Sequence, residues 1–334
     1  MALTSEGLEQ LCCAVGDASQ VGEARRVAAR LARAAALGET DAGRLAIVVV
    51  ELANNQLRHA GGGSMLMRVV ERERDAGVEI LAIDRGRGFD IARGLVDGYS
   101  TAGTSGTGLG AVRRMSSVFD AWSDARGSVL LSRVFPTASA GDPGWGVVNR
   151  PVAGEVQCGD GWAVRRSGGL LHALVVDGLG HGPSAADAAR AGIAAFRSQA
   201  AADPAHALEN LHRGMGGTRG GAAAVATVDP GARRLAMAGI GNIGVTLWSE
   251  GRARGLPSHS GIVGQGAVRP RRVVDAGWTA PALLVMASDG LQSRLAFGDY
   301  PGLVNVHPAV VAGLLFRDFE RGNDDATVLV LPLA

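Results

Sequence analysis

The sequence predicts an α+β protein of two domains, each a sandwich of sheet and helices, rather than one doubly wound sheet. Three observations carry that reading. The chain has 334 residues, enough for about two ordinary domains. Near its middle, residues 136–150 (PTASAGDPGWGVVNR) concentrate proline, glycine and small polar residues, the composition of a linker, or of a linker followed by the first strand of a second domain. On both sides of that stretch strands and helices mix without the strict βαβ alternation that builds a parallel sheet. The expected division is a first domain over 1–136, a linker over 137–148 and a second domain over 149–334.

Taken in order by apolar period, residues 23–37 and 42–60 read as helices, 64–73 and 78–86 as strands, 108–119 as a helix and 127–135 as a strand. In the second half strands dominate early and late, with helices over 183–199 and 204–215 between them. No internal repeat or low-complexity segment interrupts either half.

Composition narrows the function classes. Apolar residues make up 47% and the formal net charge is +1, so a substantial core is expected and disorder is not. A nucleic-acid-binding domain is usually strongly basic, and aromatics at 4% leave few platforms for stacking bases. Cys12, Cys13 and Cys158 form no CxxC pair and cannot all pair internally, which fits a reducing, cytoplasmic setting. The first ten residues lack the basic and apolar regions of a signal peptide. The longest apolar runs, LAIVVVELA and APALLVMA, are too short to span a membrane. All 33 residues in the Lys+Arg total are arginine, so a P-loop with its lysine is excluded.

Three motifs in the first half point to a nucleotide. In ELANNQLRHA, Glu51 and Asn55 share a helix face, with His59 one step further; the plain alternative is an exposed polar face. In AIDRGRGFD, Asp84 ends a strand ahead of Gly86 and Gly88. There the carboxylate could accept a hydrogen bond from an amine, or the segment could simply be a turn. In STAGTSGTGLGAVRRM, Gly103, Gly106, Gly108 and Gly110 precede a helix, where bare amides suit phosphate. Together, in this order, the motifs resemble the GHKL ATPase superfamily with its Bergerat ATP-binding sandwich, over residues 15–135. Within it the chain looks most similar to the bacterial anti-sigma and stressosome switch serine kinases. The resemblance implies that Asn55 binds Mg²⁺, that Asp84 reads adenine and that Gly86, Gly88, Gly106, Gly108 and Gly110 shape the ATP pocket. It makes Glu51 the base that deprotonates a serine hydroxyl.

The second half scatters aspartates at the ends of apolar runs: Asp160 in CGDGW, Asp177 in LVVDGLGHG, Asp289 in LLVMASDGL, and the pair Asp324 and Asp325 in RGNDDATVLVLPLA. Asp-Gly three times could mean three hairpins, but Asp177 leads into a helix and Asp289 into an irregular polar segment. The alternative is carboxylates gathered around hard cations, Mg²⁺ or Mn²⁺; zinc is disfavoured, since HExxH and CxxC are both missing. GIGNIG (239–244) fits GxGxxG but is followed by another strand-like run, so it reads as a hairpin or bulge. His181 could touch phosphate, and Arg165 and Arg166 could attract it, although solvated or hairpin roles serve as well.

The aspartate pattern resembles the metal-dependent protein phosphatases, above all the small bacterial branch typified by sporulation stage II protein E, over residues 150–334. That implies an αββα sandwich with Asp160, Asp177, Asp289, Asp324 and the Gly178 carbonyl as metal ligands, and Asp325 in support of Asp324. The two resemblances together imply a bifunctional serine/threonine kinase and two-metal phosphatase. Its partner would be a STAS-domain anti-sigma antagonist or the phosphorylated form of one, with a sigma factor or stressosome component nearby and a homodimer possible. The alternatives are a phosphatase gated by nucleotide or partner binding, and an anti-sigma binding module with a degenerate phosphatase.

Overall fold

A computed structural model of the chain describes residues 3–6, 10–95, 108–137, 141–198, 203–266 and 273–334. The chain divides into two compact units: Leu8–Gly144 with Ala309–Leu314, and Met1–Gly7 with Trp145–Pro308 and Leu315–Ala334. The opening strand β1 (Leu3–Glu6) belongs to the second of these.

In the N-terminal unit, β2 (Leu11–Val15) is followed by α1 (Ala18–Ala34) and α2 (Glu39–Asn55). A single π-helical turn, Gln56–Ala60, leads to β3 (Gly63–Glu71) and β4 (Ala76–Ile83). The short α3 (Ile91–Gly94), α4 (Gly108–Met115), β5 (Val118–Asp124) and β6 (Gly127–Val134) complete it. The strands form one antiparallel sheet in the order β2-β3-β4-β6-β5. Asp17 starts α1 by accepting the amides of Ser19 and Gln20 at 2.7 and 3.2 Å, which satisfies two orphan donors of the first turn. Alternate sheet residues, Met65, Met67, Val78, Ile80 and Ala82, pack with Ala28, Leu31, Val48 and Leu52 of the helices.

The other face of this sheet carries an ion network. Glu79 accepts from Arg68 Nε at 2.6 Å and from Arg133 Nη2 at 2.6 Å, and Arg133 also pairs with Asp142. Arg68, Glu79 and Arg133 are all buried. Burial alone would push the Glu79 carboxyl up, but the two guanidinium groups outweigh it and hold it below the usual range.

One expectation is corrected here. The helix expected over 108–119 stops at Met115, and Val118–Asp124 is the edge strand β5. Ser116 ends the helix by returning its hydroxyl to the Val112 carbonyl at 2.7 Å. The Ser117 amide has already turned to Arg133 O at 2.8 Å.

The second unit is a sandwich of two sheets. One has the order β1-β8-β9-β10-β11-β14, built from β8 (Asp160–Ser167), β9 (Leu170–Gly178), β10 (Gly221–Asp229), β11 (Arg234–Ile240) and β14 (Val274–Gly277) with β1. The other, β13-β12-β15-β16-β7, uses β7 (Gly146–Arg150), β12 (Gly244–Ser249), β13 (Arg252–Leu256), β15 (Ala282–Ala287) and β16 (Ala326–Leu333). Helices α5 (Pro183–Arg197) and α6 (Pro204–Gly214) follow β9, and α7 (Pro308–Phe319) precedes β16. Trp162, Val175, Ala224 and Met237 of the first sheet meet Val245, Leu284, Met286 and Leu329 of the second in one core. Alternate residues of the first sheet, Ala163, Leu174, Val176 and Val225, lie with Ala189, Phe196, Leu208 and Leu211 of α5 and α6. The central strands β8, β9, β10 and β11 are therefore apolar on both faces, the pattern of a buried strand.

GIGNIG is neither hairpin nor bulge. It carries the chain from β11 in one sheet to β12 in the other.

Candidate active site

In the N-terminal unit, the last turn of α2 presents Glu51 and Asn55 at its half-buried surface. Gly108 opens α4 directly against them: a Cβ there would lie 2.8 Å from Glu51 Oε2 and 3.6 Å from Asn55 Oδ1. The N-terminus of α4, whose first amides have no partner within the helix, thus meets a carboxylate and an amide side chain. Gln56, the first residue of the π-turn, donates from Nε2 to the carbonyls of Ser64 and Ile83, each at 3.0 Å. This fixes the end of α2 to the end of β4, immediately before Asp84.

Asp84 is buried, and its Oδ1 accepts the amides of Gly86 at 2.9 Å and Ser128 at 3.2 Å. Gly86 sits against Ala60 of the π-turn, 2.8 Å from a built Cβ. Gly88 has φ +68° and its Cβ would strike Asp124 O at 2.1 Å, so only glycine fits. The loop from Asp84 to Gly88 is therefore wedged between the π-turn and the β5–β6 hairpin. Gly110 is buried within α4; Gly106, with Gly103, lies outside the described residues. His59 is exposed and makes no part of this arrangement.

The second unit gathers its aspartates at one end of the sandwich. Asp160 opens β8 and Asp177 lies near the end of β9, directly opposite it in the antiparallel register. With a side-chain period of two, both share the face of Trp162 and Val175, between the sheets. Asp289 follows β15, and Asp324 and Asp325 precede β16, so the other sheet supplies three more carboxylates. A cleft of about 460 Å³ is lined by Asp177, Asp289, Asp324 and Asn242, among others. Gly178 lets α5 approach: a Cβ there would meet Ala185 O at 2.2 Å.

A hydrogen-bonded chain ties the two sheets together behind these acids. Asn149 Nδ2 donates to Thr327 Oγ1 at 2.7 Å, the Thr327 amide to Ser288 Oγ at 2.9 Å, and Ser288 Oγ to Asp160 Oδ2 at 2.6 Å. Asn242, from the crossover segment, donates to Asp289 Oδ2 at 2.6 Å. The roles of Asn149, Ser288 and Thr327 escape sequence reasoning. Ser288 and Thr327 stand beside Asp289 and Asp325, which is a signal of position but not of role; Asn149 carries no signal at all.

Asp324 and Asp325 have separate roles. Asp324 lines the cleft. Asp325 is buried and turns back, accepting the amides of Val152 and Gly159, both at 2.7 Å. It thereby holds the loop that delivers Asp160. Asp325→Ala should cost about 1–3 kcal/mol of stability by orphaning the buried Gly159 amide and the half-buried Val152 amide. It should also weaken uptake of Mn²⁺ at the cleft about 10- to 100-fold, the usual cost of losing a supporting partner. Urea melts and a Mn²⁺ titration check both; unchanged uptake would contradict the positioning role.

The electrostatics are those of crowded acids. Burial first, then the charges of Asp160, Asp289, Asp324 and Asp325, pushes Asp177 well up. Burial, reinforced by Asp325 and Asp289, raises Asp160 despite its bond from Ser288. Asp289 and Asp325 are raised too, again by burial and by Asp324. Cys158, beside them, is driven far above its ordinary value by burial and by Asp160 and Asp325, so it stays a neutral thiol and a poor ligand. Among the described residues no group of three or more His, Cys, Asp or Glu is already placed to hold a metal ion; Asp177, Asp289 and Asp324 line an open cleft. The donors are nonetheless all hard oxygens, and their unrelieved mutual repulsion is what a divalent cation removes. The residues fit Mg²⁺ or Mn²⁺.

Residues 167–333 match the family Stage II sporulation protein E (SpoIIE). The chain belongs to the SpoIIE family. Residues 15–133 match the histidine kinase-like ATPase domain. The serine/threonine-protein kinase RsbT of Bacillus subtilis (strain 168) is 31% identical over 112 residues, 33% of this chain and 84% of RsbT. A solved structure from work on "The bacterial stressosome: a modular system that has been adapted to control secondary messenger signaling" is 29% identical, with TM-score 0.51, covering 56% of this chain and 97% of its own. RsbX in complex with magnesium is 20% identical at TM-score 0.47, covering 56% of this chain and 94% of its own. This SpoIIE-family chain thus joins an RsbT-like, GHKL-type ATPase domain to a SpoIIE domain.

Proposed function

We propose that the chain carries two opposing phosphoryl-transfer activities on a protein serine or threonine: phosphorylation by the N-terminal unit and hydrolysis by the second. The observation that carries the phosphatase reading is the convergence of strand-end aspartates from both sheets, Asp160 and Asp177 from one and Asp289 and Asp324 from the other. In this reading Asp160, Asp177, Asp289, Asp324 and the Gly178 carbonyl hold two Mn²⁺ or Mg²⁺ ions. When bound, such ions supply Lewis acidity and neutralise the charge of phosphate. The chain's own groups do the positioning. Ser288 fixes the Asp160 carboxylate, Asn242 aims Asp289, and Asp325 holds the loop ahead of Asp160.

In the N-terminal unit ATP and Mg²⁺ are the proposed ligands. Asn55 serves as the Mg²⁺ ligand and Asp84 accepts from the adenine amine. Gly86 and Gly88 shape the adenine side, and Gly106, Gly108 and Gly110 the phosphate side. Glu51 takes the proton of the substrate hydroxyl as its oxygen bonds the γ-phosphorus and the bond to the departing ADP oxygen breaks. Phosphoryl transfer asks mainly for positioning and neutralisation, and the close approach of the Gly108 backbone to Glu51 and Asn55, with no room for a side chain beside Glu51, supports this set.

The proposed partner is a STAS-domain antagonist of an anti-sigma factor, in cytoplasmic partner switching that controls a sigma factor. Among the described residues no helix is long and apolar enough to cross a membrane, and Cys12, Cys13 and Cys158 form no disulfide.

Glu51→Gln separates kinase from simple nucleotide binding. With γ-labelled ATP and a STAS-domain protein, wild type should transfer label and Glu51→Gln should fall about 10²- to 10⁴-fold, the usual worth of a general base. Equal labelling by both proteins would remove Glu51 from that role.

A further inference from the structure

The acidic cleft must accept a dianionic phosphate monoester, and five carboxylates surround or support it. Two divalent ions still leave that set one charge negative. A substrate phosphate therefore needs a cation supplied by the chain, at the mouth and not already committed to an aspartate.

The arginines expected from the sequence do not meet this need. Arg165 and Arg166 lie five and six residues along β8 from Asp160, about 16–20 Å away at the rise of a strand. Arg165 is buried, and Arg166 lies over the Trp145 ring at 5.5 Å. Nearer the cleft, His181 is bonded to Glu155 at 2.9 Å. Arg321 donates to Ser293 at 3.3 Å, and its charge is the one that acts on Asp289.

Arg219 is different. It is exposed, and among the described residues no hydrogen bond or ion pair engages it. Its Nη1 lies 3.4 Å from a Cβ built on Gly180, a residue of the cleft wall. Its backbone is fixed from both sides. Before it, Thr218 Oγ1 donates to Met215 O at 2.8 Å and accepts the Gly220 amide at 3.0 Å. After it, Gly220 O accepts the Leu179 amide at 3.0 Å, and Gly221 exchanges two backbone bonds with Val263 at 3.0 and 2.7 Å. A backbone held on both sides thus places an exposed guanidinium beside Gly180 in the wall of the acidic cleft. Its planar fork suits two phosphate oxygens at once.

We propose that Arg219 binds the phosphate group of the substrate monoester, making it a substrate-binding and specificity-determining residue of the second unit. This rests on the phosphatase reading above and adds to it the group that selects a phosphate monoester.

The test titrates inorganic phosphate into the full chain with Mg²⁺ by calorimetry, for wild type, Arg219→Ala, Arg219→Lys and Arg219→Glu, beside steady-state hydrolysis of p-nitrophenyl phosphate. Arg219→Ala should weaken phosphate binding about 10- to 100-fold, as expected for a lost charge-assisted pair. It should raise KM more than it lowers kcat. Lysine should recover part of the loss, and glutamate should be worse than alanine. Wild-type turnover with phosphate affinity in Arg219→Ala within about twofold of wild type, well below the worth of a charged hydrogen bond, would overturn the proposal alone. A wild type that neither hydrolyses the ester nor binds phosphate would overturn the phosphatase reading and this proposal with it.

Discussion

Asp177→Asn is expected to cut Mn²⁺-dependent hydrolysis of p-nitrophenyl phosphate by more than about 10²-fold, the loss typical of disturbing only a supporting partner. The same variant, free of metal, is expected to be more heat-stable than wild type. Asp177 faces Asp160 across two paired strands, and its charge is opposed by burial and by four other carboxylates. Asparagine keeps the shape and removes the repulsion. Relief of about 1 kcal/mol raises Tm by about 2–4 °C for a unit of this size. Scanning calorimetry in chelator, alongside the assay, reads both effects. An inactive variant that is also less stable would show that Asp177 is needed for folding and not for ligation; a fully active one would remove it from the site.

Glu79→Gln is expected to destabilise the N-terminal unit by about 3–5 kcal/mol, the cost of breaking a buried ion pair by removing one partner. Glu79 is wholly buried and is the shared acceptor of Arg68 and Arg133. The glutamine leaves both guanidinium groups buried with less charge to answer them. Replacing Arg68, Glu79 and Arg133 together by methionine should cost much less, since a well-packed apolar set can substitute for a buried triad. Urea denaturation gives both numbers. A loss under about 1 kcal/mol for Glu79→Gln, the range of exposed pairs, would mean that water reaches the network.

What the sequence showed depended on how local each signal was. Asp160, Asp177, Asp289 and Asp324 were legible because each abuts a strand, and strand ends in one sandwich are brought to one edge by pairing alone. Glu51 and Asn55 were legible from helical period. The edge strand β5 was not: each of its residues is half-buried, so it lacks the alternation that marks a strand with one buried face. Helix α7 also went unread, because PAVVAGLLFRDF is apolar on nearly every side and so shows little helical period. GIGNIG was misread because its end points lie in different sheets, which no local pattern records. The bonds of Asn149 to Thr327 and of Asp325 to Val152 and Gly159 span 166 or more residues, and contacts that distant leave no trace in a single sequence. Arg165 and Arg166 could be weighed for phosphate only because they share a strand with Asp160, and β8 carries both away from the acidic end.

The most direct test of the central reading is a Mn²⁺ titration of the full chain, followed by electron paramagnetic resonance of free Mn²⁺, for wild type and Asp289→Asn. The account predicts uptake of about two ions per chain by the second unit, with at least one of them weakened beyond detection in Asp289→Asn. Wild-type protein that leaves all added Mn²⁺ free at millimolar concentration, or Asp289→Asn that binds it as wild type does, would contradict it.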